Sequence, residues 1–244
     1  KASALPGVKA VVTSADFPEI SPTARGAGEA PISFRDLSRN VMAREKALYD
    51  GHAVAAVAAT TAAIADQAAA LVDVEYEVLP HVLDAREAMK PDAPLLHADM
   101  FTKGLDPKPE IPSNISQRHE FGIGDTESGF DAADVVVEHD FTTQCVHQGY
   151  IEPHACVADN TEDGMSTVWT SSQGQFMVRN YSATVCNIDH SKVRVMPAEI
   201  GGGFGGKTTI YLEPVAILLS KKAGKPVKLV MNREDVFRAT GPTS

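Results

Sequence analysis

The chain has 244 residues and a mass of 26.0 kDa, with 43% hydrophobic and 22% charged residues. This composition is ordinary for a folded protein and excludes disordered, collagenous and fibrous chains, while the length suits one large domain or two small ones. The formal net charge of -10 repels phosphate backbones, so we expect no nucleic-acid partner.

The longest apolar run, residues 212–220, is broken by Glu213 and Pro214. It is far shorter than the roughly 20 residues that span a bilayer, so we expect no membrane partner. The first residues do not resemble a signal peptide. The three cysteines form no CxxC pair, which is typical of reduced thiols and predicts a cytoplasmic protein.

The N-terminal third predicts a small sheet with one alanine-rich helix. The expected elements are strands at 8–13 and 52–59, a helix at 61–72 capped by Thr60 or Thr61, and an alternating strand at 72–78. The helix should cross one face of a sheet that strand 8–13 joins. Five prolines then lie between residues 91 and 114 and predict a linker.

The C-terminal half predicts mixed helices and strands without a repeat. The expected helices are 125–134, 175–186 and about 209–223, the last closed by Gly224; the expected strands are 135–141, 155–159, 166–170, 192–196 and 227–231. A helix-like pattern without a closing element precedes Ser244, and the chain starts at Lys1 instead of a methionine. We therefore expect the chain to be a fragment.

The densest motif is Gly-Gly-Gly-Phe-Gly-Gly-Lys at residues 201–207, here called the glycine loop, with five glycines in six positions. Glycine lets backbone amides approach a ligand, and a helix N-terminus favours anions. Placed before a predicted helix, the loop suits a phosphate-bearing ligand, although a tight turn without a ligand is the alternative. With Lys207 and Thr208 the run also matches the P-loop pattern, but a glycine-rich run satisfies this pattern easily by chance.

A second motif, at residues 146–155, holds His147, Glu152 and His154. Two histidines and a carboxylate can bind a metal, but their spacing is neither that of a zinc-protease helix nor that of a zinc finger. Pro153 also argues against a helix through the motif. A polar structural network is the other interpretation.

A third motif, at residues 169–175, ends a predicted strand in short polar side chains. Ser171 and Ser172 can cap the helix that follows. Gln173 is placed like a ligand-binding residue, because binding sites gather where strands give way to loops.

Taken together, these motifs resemble the molybdenum-binding large subunit of the xanthine dehydrogenase, aldehyde oxidase and carbon monoxide dehydrogenase family. Residues 51–80 resemble the family's hammerhead domain, and residues 124–138 resemble the beginning of its first molybdopterin-binding domain. The most specific part is the glycine loop, combined with Glu-Pro-His at 152–154 and Ser-Gln at 172–173.

The resemblance implies a mixed α+β fold in three parts. A hammerhead domain without its first strands is expected at 1–90, a proline-rich linker at 91–118 and part of a molybdopterin-binding domain at 119–244. As site residues it implies Gln173, which hydrogen-bonds an oxo ligand of molybdenum, and Phe204, which helps to form the substrate pocket. The resemblance further implies that both residues bind the cofactor, together with Gly203, Gly205 and Gly206. No residue of the chain is expected to ligate a metal.

The activity that the resemblance implies is hydroxylation of an electron-poor carbon with water. Electrons then pass to iron–sulfur clusters and FAD on partner subunits or domains of an oligomeric complex. Purine-oxidising members carry a substrate-binding glutamate where this chain has Thr208. Xanthine is therefore a poor candidate, and aldehydes, aromatic acyl-CoA esters and N-heterocycles remain.

The resemblance also implies that the chain alone is inactive. The family's glutamate base lies beyond the matched region, and three cysteines cannot supply the four thiolates of an iron–sulfur cluster. Two alternatives stay open: a non-catalytic scaffold or interface chain of such a complex, and a P-loop nucleotide binder.

Overall fold

The computed structural model describes residues 1–21, 25–26 and 32–241. The strands are β1 (Val8–Thr13), β2 (Arg25–Gly26), β3 (Ile32–Ser33), β4 (Ala55–Ala59), β5 (Ala155–Asn160), β6 (Ser166–Thr170), β7 (Val193–Pro197) and β8 (Val227–Val230). The helices are α1 (Phe34–Val41), α2 (Ala62–Ala70), α3 (Ala85–Ala88), α4 (Thr126–Asp131), α5 (Gln175–Cys186), α6 (Glu213–Ala223) and α7 (Arg233–Ala239). The predicted mixed α+β class is confirmed. Across the described ranges, no helix has the length and apolar character that crossing a bilayer requires.

The chain divides into two compact units. Unit 1 comprises residues 1–74 and 144–244, and unit 2 comprises residues 75–143. In unit 1, β1 pairs antiparallel with β4, and a four-stranded sheet has the order β7-β6-β5-β8. Within that sheet β6 and β7 run parallel, and the other neighbours run antiparallel.

The core of unit 1 joins elements that are far apart in the sequence. Val12 of β1, Leu37 of α1, Val168 of β6 and Ile217 of α6 all belong to one buried apolar cluster. Helix α6 packs against both β1 and β5. Apolar burial of this extent is the main favourable contribution to folding, so these segments stabilise one another.

Most of the predicted elements of unit 1 are confirmed. Strand β6 and helix α5 agree residue for residue with the prediction. Helix α2 begins after Thr61, whose hydroxyl accepts from the N–H of Ile64 at 3.3 Å. Strand 8–13 joins β4 as expected. Gly224 closes α6 with a positive φ of 61°, a conformation that glycine adopts without strain.

Two predicted strands, 72–78 and 135–141, are wrong. The chain forms no strand at either place, and Val78, Val135 and Phe141 are 87%, 77% and 90% exposed. An alternating pattern makes a strand only where a neighbour pairs with its backbone groups. Neither segment has such a neighbour within the described chain.

Helix α6 begins at Glu213, several residues later than predicted. Pro214 occupies the first turn, where its missing N–H costs no hydrogen bond. The N–H of Tyr211 donates to Glu213 Oε2 at 3.1 Å, which fixes the chain just before the helix. The glycine loop therefore does not lie at a helix N-terminus, and that part of the anion argument is wrong.

Helix α1 was not predicted, although Ser33 caps it by accepting from the N–H of Asp36 at 3.3 Å. Helix α7 accounts for the helix-like pattern near the end of the chain, while Ser244 lies outside the described residues. Residues 91–114 hold neither helix nor strand. The domain boundaries given above stay predictions.

Candidate functional site

The candidate site lies where two parallel strands end side by side. β6 and β7 place Thr170 opposite Pro197 at their carboxyl ends. The segment that carries Gln173 follows β6, and the chain that follows β7 leads to the glycine loop. Parallel strands bring the loops after them to the same edge of a sheet. Two motifs that are separate in the sequence therefore lie together.

The glycine loop holds Gln173 through both its backbone and its side chain. The backbone N–H of Gln173 donates to the carbonyl of Lys207 at 2.9 Å. Its Oε1 accepts from the N–H groups of Gly205 and Lys207, each at 3.1 Å. Only the oxygen of an amide side chain can accept these bonds, so its orientation is fixed. The Nε2 group is left as a donor on an exposed side chain, with no acceptor in the described chain.

Three glycines of the loop are required by side chains of this chain. A Cβ at Gly201 would lie 2.7 Å from the Cβ of Glu152, and one at Gly203 would lie 2.5 Å from Gln173 Oε1. A Cβ at Gly206 would lie 2.6 Å from the ring of Tyr150. Real Cβ contacts are longer, so a larger residue at any of these positions would force the loop or the facing side chain to shift.

Phe204 sits in the loop with a positive φ of 47° and a side chain that is 73% exposed. This backbone conformation costs a residue with a Cβ about 1–2 kcal/mol. The loop maintains it, because the N–H of Gly206 donates to the carbonyl of Gly203 at 2.7 Å and Gly205 is bound to Gln173. The aromatic ring is thus held on the surface, next to Gly205, whose N–H binds Gln173.

The backbone N–H groups of Gly202, Gly203 and Phe204 have no acceptor in the part of the chain that the structure describes. The N–H groups of Gly205 and Lys207 donate to Gln173 Oε1, and that of Gly206 donates to a carbonyl within the loop. Free N–H groups in a short bend bind oxygen-rich anions. The site therefore offers several donors and suits a ligand with electron-rich oxygens.

Lys207 ends the loop in a partly buried ion pair. Its Nζ lies 2.5 Å from Glu152 Oε2, and its side chain is 0% exposed while that of Glu152 is 32% exposed. The ring of Tyr150 lies 5.2 Å from the ammonium group. Burial acts to raise the pKa of Glu152, but hydrogen bonds from Lys207 and the Gly201 N–H outweigh it and lower that pKa.

The P-loop interpretation of Lys207 and Thr208 does not agree with this geometry. A P-loop lysine must reach the phosphates, whereas Lys207 is buried against Glu152. The hydroxyl of Thr208 donates to the carbonyl of Gly205 at 2.8 Å. The helix that follows begins only at Glu213, so the loop lacks the helix N-terminus that P-loops use.

The histidines of the second motif belong to a buried polar network, which comprises His147, Tyr150, His154 and Thr240. Tyr150 Oη lies 2.8 Å from His154 Nε2 and 2.9 Å from Thr240 Oγ1, and His147 Nε2 lies 2.9 Å from the same Oγ1. Glu152 is not a member. No group of three metal-binding side chains occurs among residues 1–21, 25–26 and 32–241. The metal interpretation is wrong, and the network interpretation agrees with the structure.

The proton positions of the network follow from its acceptors. Thr240 donates its one hydroxyl proton to a backbone carbonyl of α7 at 2.7 Å. Tyr150 must therefore donate to Thr240, and His154 must donate to Tyr150. Burial lowers the pKa of His154 to about 4, and the charge of Lys207 acts in the same direction. His154 is thus neutral at physiological pH.

Capping does not fully explain the serines after β6. The residue that caps α5 is Gly174, and the hydroxyl of Ser172 accepts from its N–H at 3.2 Å. Ser171 is buried.

Sequence reasoning also missed Tyr150, which lies beneath the loop, and Thr240. The motif around Tyr150 was visible, but no local signal connects Thr240 with a residue 90 positions away.

Comparisons with known proteins cover nearly the whole chain. A family model described as molybdopterin cofactor-binding domain matches residues 108–244. A second model, the a/b hammerhead domain of aldehyde oxidase and xanthine dehydrogenase, matches residues 1–80.

Two curated relatives are each 34% identical and cover 98% of the chain: a probable xanthine dehydrogenase subunit of Bacillus subtilis and a carbon monoxide dehydrogenase large chain of Afipia carboxidovorans. The crystal structure of aldehyde oxidoreductase from Desulfovibrio gigas matches 99% of the chain with a TM-score of 0.78 and 26% identity. The chain spans 29% of the length of each relative and 25% of that structure.

Proposed function

This chain belongs to the family of molybdopterin-binding large subunits of xanthine dehydrogenase, aldehyde oxidase and carbon monoxide dehydrogenase, and from that premise we propose that it contributes Gln173 and the glycine loop to the molybdenum site of a hydroxylase. The resemblance recognised in its motifs is thereby confirmed. The roles of the individual residues remain our proposal.

The observation that carries the proposal is the fixed amide of Gln173. Two loop N–H groups occupy its oxygen, so its Nε2 is directed outward as a donor before any ligand binds. An oxo ligand of molybdenum is an electron-rich acceptor and suits such a donor. Because the amide cannot rotate without breaking two hydrogen bonds, little ordering is needed when the ligand binds.

The free N–H groups of the loop supply the second part of the proposed site. Those of Gly203 and Phe204 would contact the cofactor, and the exposed ring of Phe204 would exclude water from one side of the substrate pocket. Gly205 and Gly206 allow the backbone to approach closely. When bound, molybdenum–molybdopterin supplies the two-electron redox chemistry, while the protein supplies position and polarity.

The proposed substrates are aldehydes, aromatic acyl-CoA esters and N-heterocycles. The related proteins named above are a probable xanthine dehydrogenase, a carbon monoxide dehydrogenase and an aldehyde oxidoreductase, so similarity alone does not select a substrate. Thr208 supports the choice against xanthine, because its hydroxyl is bound to the loop and it carries no carboxylate for a purine.

Iron–sulfur clusters and FAD are proposed to lie on partner subunits or domains of an oligomeric complex. Burial raises the pKa of the thiols of Cys156 and Cys186. These thiols stay protonated, whereas cluster ligands are thiolates. Cys145 is exposed and alone cannot complete a ligand set.

The test is substitution of Gln173 in the molybdenum-loaded large subunit. Gln173→Ala is expected to lower turnover roughly tenfold to 100-fold, the usual effect of removing a polar group that supports a metal site. Gln67→Ala, at an exposed position of α2, is the matched control and should leave turnover unchanged. Steady-state kinetics and molybdenum content are measured for both. Unaltered kinetics of Gln173→Ala would contradict the proposal and favour a scaffold role.

A further inference from the structure

One carboxylate oxygen ties together the two ends of the glycine loop. Glu152 Oε2 accepts from the N–H of Gly201, the first residue of the loop, at 2.8 Å. The same oxygen accepts from the Nζ of Lys207, the last residue, at 2.5 Å. The carbonyl of Gly201 also accepts from the N–H of Glu152 at 3.3 Å. The loop is thus closed at its base by a single side chain.

Stability alone does not account for this arrangement. Burying a lysine ammonium group is costly, and a buried ion pair rarely stabilises a fold more than apolar side chains of similar volume do. Lys207 is nevertheless fully buried, above the ring of Tyr150. Such a pair is best explained by the geometry that it imposes on its neighbours.

That geometry is passed on to Gln173. The side chain of Lys207 binds Glu152, while its backbone binds Gln173. Its N–H donates to Gln173 Oε1, and its carbonyl accepts from the Gln173 N–H. Any shift of Lys207 therefore moves the acceptor end of the Gln173 amide. The opposite end of that amide, Nε2, is the donor proposed to serve the cofactor.

We propose that Glu152 and Lys207 are positioning residues that hold the glycine loop closed and thereby set the direction of the Gln173 amide. This inference rests on the proposed function for its consequence in the enzyme. The positioning itself is a property of this chain and is measurable without cofactor.

The experiment measures amide hydrogen exchange by NMR at Gly205 and at position 207, the two N–H groups bound to Gln173 Oε1. Lys207→Met removes the ammonium group, keeps a long apolar side chain and is expected to speed exchange at both amides by about tenfold or more. Lys90→Met is the matched control, since Lys90 forms an exposed ion pair with Glu87 at 2.5 Å. It should leave both exchange rates unchanged.

The double variant E152Q/K207M separates positioning from a merely structural role. It leaves no unpaired charge buried, so its unfolding midpoint in urea should lie close to that of the wild type. Exchange at Gly205 and position 207 should still be fast, because the loop is no longer closed by an ion pair. Recovery of both stability and slow exchange would overturn the proposal. Should Lys207→Met fail to fold, the exchange rates at Gly205 and position 207 are compared between the double variant and the wild type instead.

In the molybdenum-loaded subunit, Lys207→Met is expected to alter the Mo(V) electron paramagnetic resonance signal in the same way as Gln173→Ala. The two substitutions together should cause no larger loss of turnover than Gln173→Ala alone, since both act through one amide. Fast exchange in Lys207→Met with no effect of Gln173→Ala on the enzyme contradicts the proposed function but supports the positioning role. Unchanged exchange contradicts the positioning role alone.

Discussion

Units 1 and 2 each contain a segment that the sequence predicts to be a strand, but only the segment in unit 1 forms one. In unit 1, the apolar segment 8–13 becomes β1 and pairs with β4, with Val11 opposite Val57. In unit 2, the alternating segment 135–141 has no partner, and Val135, Val137 and Phe141 are all more than 70% exposed. The structure describes every residue of unit 2, and its one ladder contact is an isolated bridge between Lys103 and Gln117.

The difference shows that a strand-like sequence pattern indicates a capacity to pair and does not by itself make a strand. A strand becomes stable when a neighbour satisfies its backbone groups and a layer covers its apolar face. β1 has both, since β4 pairs with it and α6 packs against it. Burial, hydrogen bonding and altered pKa values should therefore concentrate in unit 1, and three measurements test this.

The largest expected effect comes from matched isoleucines in the two units. Ile217 is 0% exposed in α6, whereas Ile123 is 94% exposed in unit 2. Ile217→Ala leaves a cavity in the core and should lower the free energy of unfolding by about 4 kcal/mol. Ile123→Ala should change it by less than about 0.5 kcal/mol. Urea denaturation followed by circular dichroism measures both, and equal losses would contradict the contrast.

The second expected effect is a pH dependence that originates in the polar network. Burial lowers the pKa of His154 to about 4, from 6.5 in the unfolded chain. Between these values the unfolded chain binds a proton that the folded chain excludes. The stability contribution is therefore complete above pH 6.5 and is lost as the pH falls to about 4, with a total of about 3 kcal/mol.

The free energy of unfolding, measured in urea between pH 7 and pH 4, checks this prediction. His154→Gln keeps a donor near Tyr150 but does not titrate, so it should make the profile less steep in this range. His139→Gln, at an exposed position of unit 2, is the control and should leave the profile as it is. A profile that His154→Gln does not change would place the titrating group elsewhere.

The smallest expected effect concerns helix caps. Thr61 caps α2 in unit 1 by accepting from the N–H of Ile64, and Asp125 caps α4 in unit 2 by accepting from the N–H of Ser128 at 3.1 Å. Thr61→Ala should lower the stability of unit 1 by about 1 kcal/mol. Asp125→Ala should leave it unchanged, because the six residues of α4 are all exposed and only this short helix depends on the cap.

Fluorescence of Trp169, the single tryptophan of the chain, reports the unfolding of unit 1. It lies in β6, so Thr61→Ala should shift the urea midpoint of this signal and Asp125→Ala should not. A shift of equal size in both variants would show that α4 stabilises unit 1.

Local rules predicted most elements of unit 1 from the sequence. Helix α5, strand β6 and the glycine that closes α6 each carry their own periodicity or cap. The rules failed where the outcome depends on a distant partner, as in segments 72–78 and 135–141. The start of α6 was missed because Glu213 bonds back to Tyr211, an interaction that propensity does not encode.

The candidate site divides in the same way. Gln173 and the glycine loop were recognisable as motifs, and the structure brings them into contact. The reason for the glycines was not predictable, since Glu152, Gln173 and Tyr150 occupy the space that side chains at 201, 203 and 206 would need. The burial of Lys207 was also hidden, because its motif equally describes an exposed phosphate-binding lysine.

The contact between β1 and α6 has a consequence for how the chain is made. Lys222 of α6 donates to the carbonyl of Val11 at 2.9 Å, across 211 positions of sequence, and forms an ion pair with Asp16. During synthesis the ribosome releases β1 long before α6 exists. The apolar face of β1 therefore stays uncovered until the 211 positions between Val11 and Lys222 have been synthesised, which slows folding and exposes this strand to aggregation or to a chaperone.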